Sequence, residues 1–130
     1  MRKSLFTIFF ILLLDPSLCL GEWIRLFSIN KGDLYLETAS IKRNGENIFF
    51  SQLVNYRRPE SNGILSYKIH SQIDCTNLKT KDLNYETFKQ KMGRGKNFYN
   101  GTPNRNWKGS KPGSSIYFLN EVLCDRVSQK

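Results

Sequence analysis

From Leu65 to Cys75 the sequence alternates between apolar and polar side chains. Leu65, Tyr67, Ile69, Ile73 and Cys75 fall on one side of an extended chain, and Ser66, Lys68, His70, Gln72 and Asp74 on the other. A strand turns successive side chains to opposite faces, whereas the apolar stripe of a helix recurs every three or four residues. The run therefore reads as a half-buried strand, which needs strands beside it and an apolar element over one face. The same alternation, broken by turn residues, covers most of the chain. Glu22–Ile29 and Asp33–Glu37 read as two short strands joined by Asn30-Lys31-Gly32. Thr38–Ile41 is expected to form a helical turn, and Asn44-Gly45 a tight turn. A long strand follows from Glu46 to Tyr56, with Ile48, Phe50 and Val54 on one face and Phe49 and Leu53 on the other. Its middle is apolar on both sides, so something must cover each. A second copy of the chain is one such cover, which makes Phe49, Phe50 and Leu53 candidate self-association residues. Lys79 to about Lys91 supplies a fifth strand and Gly95–Tyr99 a short sixth. Ser114 or Ser115 then caps a helix running to about Val127. Along it Ile116, Leu119 and Leu123 form a stripe with Cys124 beside it. The fold class is α+β, one antiparallel sheet of about six strands with a C-terminal helix.

The N-terminus has a different character. Arg2 and Lys3 precede an apolar run from Leu5 to Leu14, ended by Asp15 and Pro16, with small residues at Cys19 and Gly21. Ten residues are too few to cross a bilayer as a helix, which needs about 20. They suit a secretory signal cleaved after Gly21, so residues 1–21 are expected to be removed and residues 22–130 to form the exported domain, with no transmembrane span. Cys19 raises a lipid-attachment reading, but Leu18 and Pro16 occupy the places where such a site wants a small and an aliphatic residue. Release as a soluble exported protein is the expectation. The chain begins with three cysteines and a formal charge of +9. Cleavage removes Arg2, Lys3, Asp15 and Cys19, so the charge falls by one and Cys75 and Cys124 remain. In an exported domain they are expected to form one disulfide, two free buried thiols being the alternative. Such a bridge would pin the helix to the apolar face of the sheet. Two cysteines and the single His70 fall short of a structural zinc set, and no metal or other cofactor is implied.

Catalytic constellations are sparse. His70 lies on the polar face of its strand with no partner nearby in sequence, and Asp74, Asp82 and Glu86 show no motif spacing. No G-x-S-x-G elbow is present, and a bridged Cys75–Cys124 pair leaves no thiol nucleophile. The chain reads as a non-enzyme. Its most suggestive binding feature is Gly93–Gly113, which holds five glycines, two prolines, five basic residues and no acid. Arg94, Lys96, Arg105, Lys108 and Lys111 alternate there with Phe98, Tyr99 and Trp107. Cations among aromatics suit single-stranded nucleic acid, but export puts intracellular nucleic acid out of reach. Acidic extracellular or envelope partners fit the compartment, with Arg94, Lys96, Arg105, Trp107, Lys108 and Lys111 as candidate ligand-binding residues. The alternative is a solvated loop whose aromatics fold back, Trp107 against the helix. Gly93-Arg94-Gly95-Lys96 lacks the P-loop spacing.

Taken in order, these segments resemble a known family. Trp23, Gly32-Asp33-Leu34-Tyr35-Leu36, Ser40-Ile41-Lys42-Arg43-Asn44-Gly45, Gln52-Leu53-Val54-Asn55-Tyr56, Ile73-Asp74-Cys75, Met92-Gly93-Arg94-Gly95, Trp107 and Val122-Leu123-Cys124 are similar to the surface-adhesin protein E family of Gram-negative bacteria. The resemblance spans nearly all of Glu22 to Cys124. It implies a six-stranded antiparallel sheet with the C-terminal helix tethered to its concave side by the disulfide, dimerisation, and adhesive binding of extracellular macromolecules. Two functions are expected from different classes: an adhesin-like module displayed at the cell surface, or a periplasmic accessory protein that associates with itself or an envelope component.

Overall fold

The computed structural model describes residues 23–127; the expected signal segment, Cys19 included, lies outside them. Six strands follow one another as β1 (Trp23–Ile29), β2 (Gly32–Asn44), β3 (Asn47–Tyr56), β4 (Ser66–Asp74), β5 (Lys79–Phe88) and β6 (Asn97–Gly101). They form a single sheet in chain order, every neighbouring pair antiparallel. Among the described residues one α-helix, α1 (Ser115–Arg126), follows the sheet. The architecture is the expected α+β one, a single antiparallel sheet with a C-terminal helix, and its strand order is that of a meander. Among the described residues no helix is long and apolar enough to cross a membrane.

One local expectation is corrected. Thr38–Ile41 does not form a helical turn but belongs to β2, which runs unbroken through it. The pairing of β2 with β3 slips between Glu37 and Lys42, leaving residues 38–41 as an extra loop of strand. Ser40 stitches this bulge to its neighbour: its hydroxyl donates to the Glu37 carbonyl (2.6 Å) and accepts from the Ser51 N–H (2.8 Å). The bulge turns Ile41 onto the core, which is the physical gain of the slip.

The long strand β3 is covered on both faces, by two different devices. On one face Leu36, Ile48, Phe50 and Ile73 pack against Leu119 and Leu123 of α1. The helix is capped by Ser114, whose hydroxyl accepts from the Tyr117 N–H. At its other end Arg43 Nη1 donates to the Cys124 carbonyl (2.7 Å) and the Val127 carbonyl (3.2 Å), satisfying acceptors that a helix C-terminus leaves open. Asn120, 1% exposed, donates from its side chain to Thr80 Oγ1 at 3.0 Å. Cys75 and Cys124 are bridged, with their Cα atoms 5.7 Å apart across 49 positions of sequence. A closure of that length stabilises by about 4 kcal/mol on the chain-entropy view. The expected apolar stripe is shorter than its sequence suggests, since Ile116 is 39% exposed and only Leu119 and Leu123 are buried.

The far face of β3 carries the second device. Leu53 (0% exposed), Phe88 and Ser66 are buried there beneath a single 3-10 turn, Lys91–Gly93, in the β5–β6 connection. Gly93 has φ +64°, and a Cβ on it would sit 3.0 Å from Leu53 Cδ1, so the turn lies directly on the side chain it covers. Ser66, which falls on the polar side of the β4 alternation, is fully buried because its hydroxyl donates to the Gln90 carbonyl (2.6 Å) and accepts from the Gly93 N–H (2.9 Å). Asn55 Oδ1 accepts from the Met92 N–H at 2.9 Å. The two-sided apolar strand is thereby accounted for within one chain. Phe50 and Leu53, read as self-association candidates, are both buried in the protomer, and Phe49 alone of the three remains half-buried.

Candidate ligand-binding edge

The edge of the sheet beyond β5 is where the basic segment lands. β6 pairs only with Tyr85–Phe88. After Gly101 the chain leaves the sheet and returns once, where Thr80 and Lys108 exchange both backbone hydrogen bonds (2.9 and 2.8 Å). The glycine-rich stretch is thus fastened at both ends of β5. This separates its cations into two groups. Arg94 and Lys96 sit at the β5–β6 turn, and Lys108 and Lys111 at the opposite end beside the helix, where the Lys111 carbonyl accepts from the Ser114 N–H. Phe88, opposite Asn97, and Thr80, opposite Lys108, are eight residues apart, roughly 26 Å at the rise of a strand. Arg105 is exposed on the segment between them.

Three aromatic side chains stay exposed along this edge: Phe98 (47%), Tyr99 (55%) and Trp107 (39%). Each has a partner. The Lys89 ammonium lies 4.5 Å from the centre of the Phe98 ring, and the Lys81 ammonium 4.3 Å from that of Trp107, close enough for cation–π attraction. Tyr99 stands against Tyr85, and Tyr85 against Tyr67, with ring centres 5.8 and 5.1 Å apart. Burial above all, with Asp82 nearby, pushes the Tyr67 hydroxyl up to about 12. Trp107 is not packed away under the helix; it lies beneath Lys81. Lys81 and Lys89 do not stand out in the sequence, because what makes them part of the edge is the return of the chain along β5.

Several acids among the described residues are engaged internally. Asp33 is held below the usual carboxylate range by the Ser28 hydroxyl first and the Arg25 guanidinium second, with Arg57 3.6 Å away. Glu60 takes Lys31 at 2.9 Å, and Asp82 takes Lys108 at 3.8 Å. The ion pairs among the described residues do not include Arg94, Lys96, Arg105 or Lys111. Of the candidate cations, Lys108 is therefore committed to Asp82, and the other four are available to a ligand.

His70 is better connected than its sequence neighbourhood suggests. Its Nδ1 lies 2.8 Å from Ser51 Oγ and its Nε2 3.2 Å from Glu86 Oε1, a row across β3, β4 and β5. The set has the composition of a serine–histidine–acid triad without its setting, since Ser51 is 5% exposed in the middle of a strand. Asp74 instead takes the Thr76 N–H and the Asn77 amide in the turn after β4. Among the described residues no group of three His, Cys, Asp or Glu side chains gathers as a metal site.

The family model for surface-adhesin protein E matches residues 23–125 of the chain, end to end across this sheet and helix. The chain belongs to the surface-adhesin protein E family. Solved structures of protein E from Haemophilus influenzae share the fold. The Se-Met form superposes with a TM-score of 0.61 at 17% identity, covering 80% of this chain and 86% of that one. Protein E from the non-typeable organism gives 0.60 at 16% identity, covering 79% and 75%. Crystal form II gives 0.60 at 18%, covering 79% and 87%. No curated protein matches the chain by sequence. Membership and fold together support a surface-adhesin-like role.

Proposed function

We propose that this chain is an exported, non-catalytic adhesin-like module that contacts an acidic macromolecule at the cell surface through the β5–β6 edge. One observation carries the reading: Arg94, Lys96, Arg105 and Lys111 stand outside the ion pairs of the described residues, on the edge that also exposes Phe98, Tyr99 and Trp107. Clustered cations attract a polyanion over a range set by salt, and the aromatic faces add contact area that salt does not screen. Basic groups held near opposite ends of β5 suit an extended chain of charge better than a compact anion. Self-association through Phe49, Phe50 and Leu53 loses support from the burial of two of the three.

The test uses immobilised heparin and lipopolysaccharide as polyanion probes. Binding is expected to weaken steadily with salt and to fall when Arg94, Lys96, Arg105 and Lys111 are changed to Gln together. Binding indifferent to both would remove the proposal. Protease added to intact cells separates the locations: digestion supports surface display, and protection in intact but not in permeabilised cells would move the protein to the periplasm.

A further inference from the structure

We infer a second binding site on the same edge, one without cations: an open cleft at the end of β6 that takes a neutral saccharide unit through its hydroxyl groups. The site does not depend on the polyanion reading. β5 is paired with β6 from Tyr85 onward and touched again at Thr80, so its edge between those points is open. A cleft of about 380 Å³ lies where that gap meets the end of β6, lined by Asn84, Tyr85, Glu86, Asn100, Gly101 and Thr102. Gly101 keeps the place clear: a Cβ on it would run into the Tyr85 ring.

The lining selects the ligand class. It offers a carboxylate, two amides and the hydroxyls of Thr102 and Tyr85, that is, acceptors and two-way hydrogen-bonding groups together. Among the described residues the Asn84 and Asn100 amides and the Thr102 hydroxyl are not spent on side-chain hydrogen bonds within the protein, and Asn84, Asn100 and Thr102 are all exposed. Glu86 is held in place by His70, 3.2 Å from its Oε1. The only ionisable group with its side-chain charge in the lining besides tyrosine is this carboxylate, which an anion would have to face. The lining contributes no aliphatic side chain, which disfavours a lipid. A ligand with adjacent hydroxyls satisfies carboxylate and amides at once, since each hydroxyl both donates and accepts. The volume stands near the lower end of small-ligand sites, roughly 300–1,000 Å³, enough for one or two rings.

An aromatic platform lies alongside. Lys81 is opposite Gln72 and Asn84 opposite His70. Gln72 and His70 are two apart on β4, so Lys81 and Asn84 share a face despite the register shift between them. Lys81, whose ammonium lies over the Trp107 indole, is therefore about one pleat repeat, roughly 7 Å, along the strand from Asn84 of the cleft. The exposed face of the indole suits the apolar C–H side of a sugar ring.

The proposal is tested by amide chemical-shift titration of the disulfide-bonded protein with maltose, cellobiose, lactose and chitobiose as separate probes. At least one is expected to shift resonances of residues 84–86 and 100–107, unchanged by added salt. Glu86→Gln is expected to weaken that binding roughly tenfold or more, the scale of a lost hydrogen bond to a charged group, and the Asn84→Ala/Asn100→Ala pair further. Thermal unfolding of each variant serves as the fold control. Heparin binding should persist in all of them, which separates failure of this site from failure of the polyanion edge. Absence of shifts with all four probes, shifts elsewhere on the sheet, or full binding by correctly folded Glu86→Gln and Asn84→Ala/Asn100→Ala would overturn the site.

Discussion

The centre of the sheet and its last edge are built on opposite terms. At β3 almost every side chain has its partner inside the chain: Ile48 and Phe50 meet the helix, Leu53 lies under Gly93, and Ser51 is held by Ser40 and His70. At the β5–β6 edge aromatic faces and unpaired cations point outward, although the backbone beneath them is fastened at Phe88 and Thr80. The lesson is a division of labour by location. Substitutions at the centre should remove stability, and substitutions at the edge should remove binding while leaving stability nearly untouched.

The strongest test of the centre is the bridge. Changing Cys75 and Cys124 to Ser is expected to cost about 4 kcal/mol by chain entropy, read as a lowered denaturant midpoint under non-reducing conditions. A midpoint unchanged from the parent would mean that the helix needs no covalent pin. Leu53→Ala comes next, at about 3 kcal/mol for a buried leucine. A cost close to zero would show that the Lys91–Gly93 turn does not cover the far face in solution. Ser66→Ala should cost about 2 kcal/mol by leaving the Gly93 N–H and the Gln90 carbonyl without their buried partner; hydrogen exchange at Gly93 should quicken with it, and protection left intact would argue against this clasp. At the edge, the Arg94, Lys96, Arg105 and Lys111 to Gln variant is expected to stay within about 0.5 kcal/mol of the parent while losing heparin. Loss of stability and binding together would erase the distinction between the two regions.

An effect confined to high pH concerns Tyr67, on the strand between them. Its folded value of about 12 lies above the ordinary 10, so the folded protein keeps a proton that the unfolded chain releases. The stability this supplies is whole below about pH 10 and is lost as pH rises towards 12. Unfolding midpoints followed through that window should fall more steeply for the parent than for Tyr67→Phe. Identical slopes would contradict the burial assigned to this hydroxyl.

Much of this was legible in the residues. The Leu65–Cys75 alternation places Cys75 on the face that meets the helix, Gly45 takes the positive φ expected of its turn, and Ser114 caps α1 as its position suggests. Local pattern carries such features because each depends on a few neighbouring residues. What it does not carry are the relations set by register. Ser66 reads as solvent-facing because nothing near it in sequence reveals that a turn some twenty-five residues later folds over it. The pairing of His70 with Ser51 and Glu86 exists only once three strands are aligned. The five cations of Gly93–Gly113 read as one loop, and a single backbone exchange between Thr80 and Lys108 makes them two sites. The β2 bulge hides for the same reason, since Thr38–Ile41 looks like a turn until Ser40 is seen to tie it to Ser51.

The meander order of the strands bears on how the molecule is made. Each strand pairs with the one that precedes it in the chain, so the sheet can assemble progressively from Trp23 as polypeptide becomes available, with short closures at most steps. The bridge is the exception, spanning 49 positions. Cys75 at the end of β4 must wait until β5, β6 and the segment fastened at Lys108 have brought α1 back across the sheet. The native pair can form only once α1 has been made, and a chain arrested before its helix carries Cys75 without Cys124, open to any thiol chemistry around it.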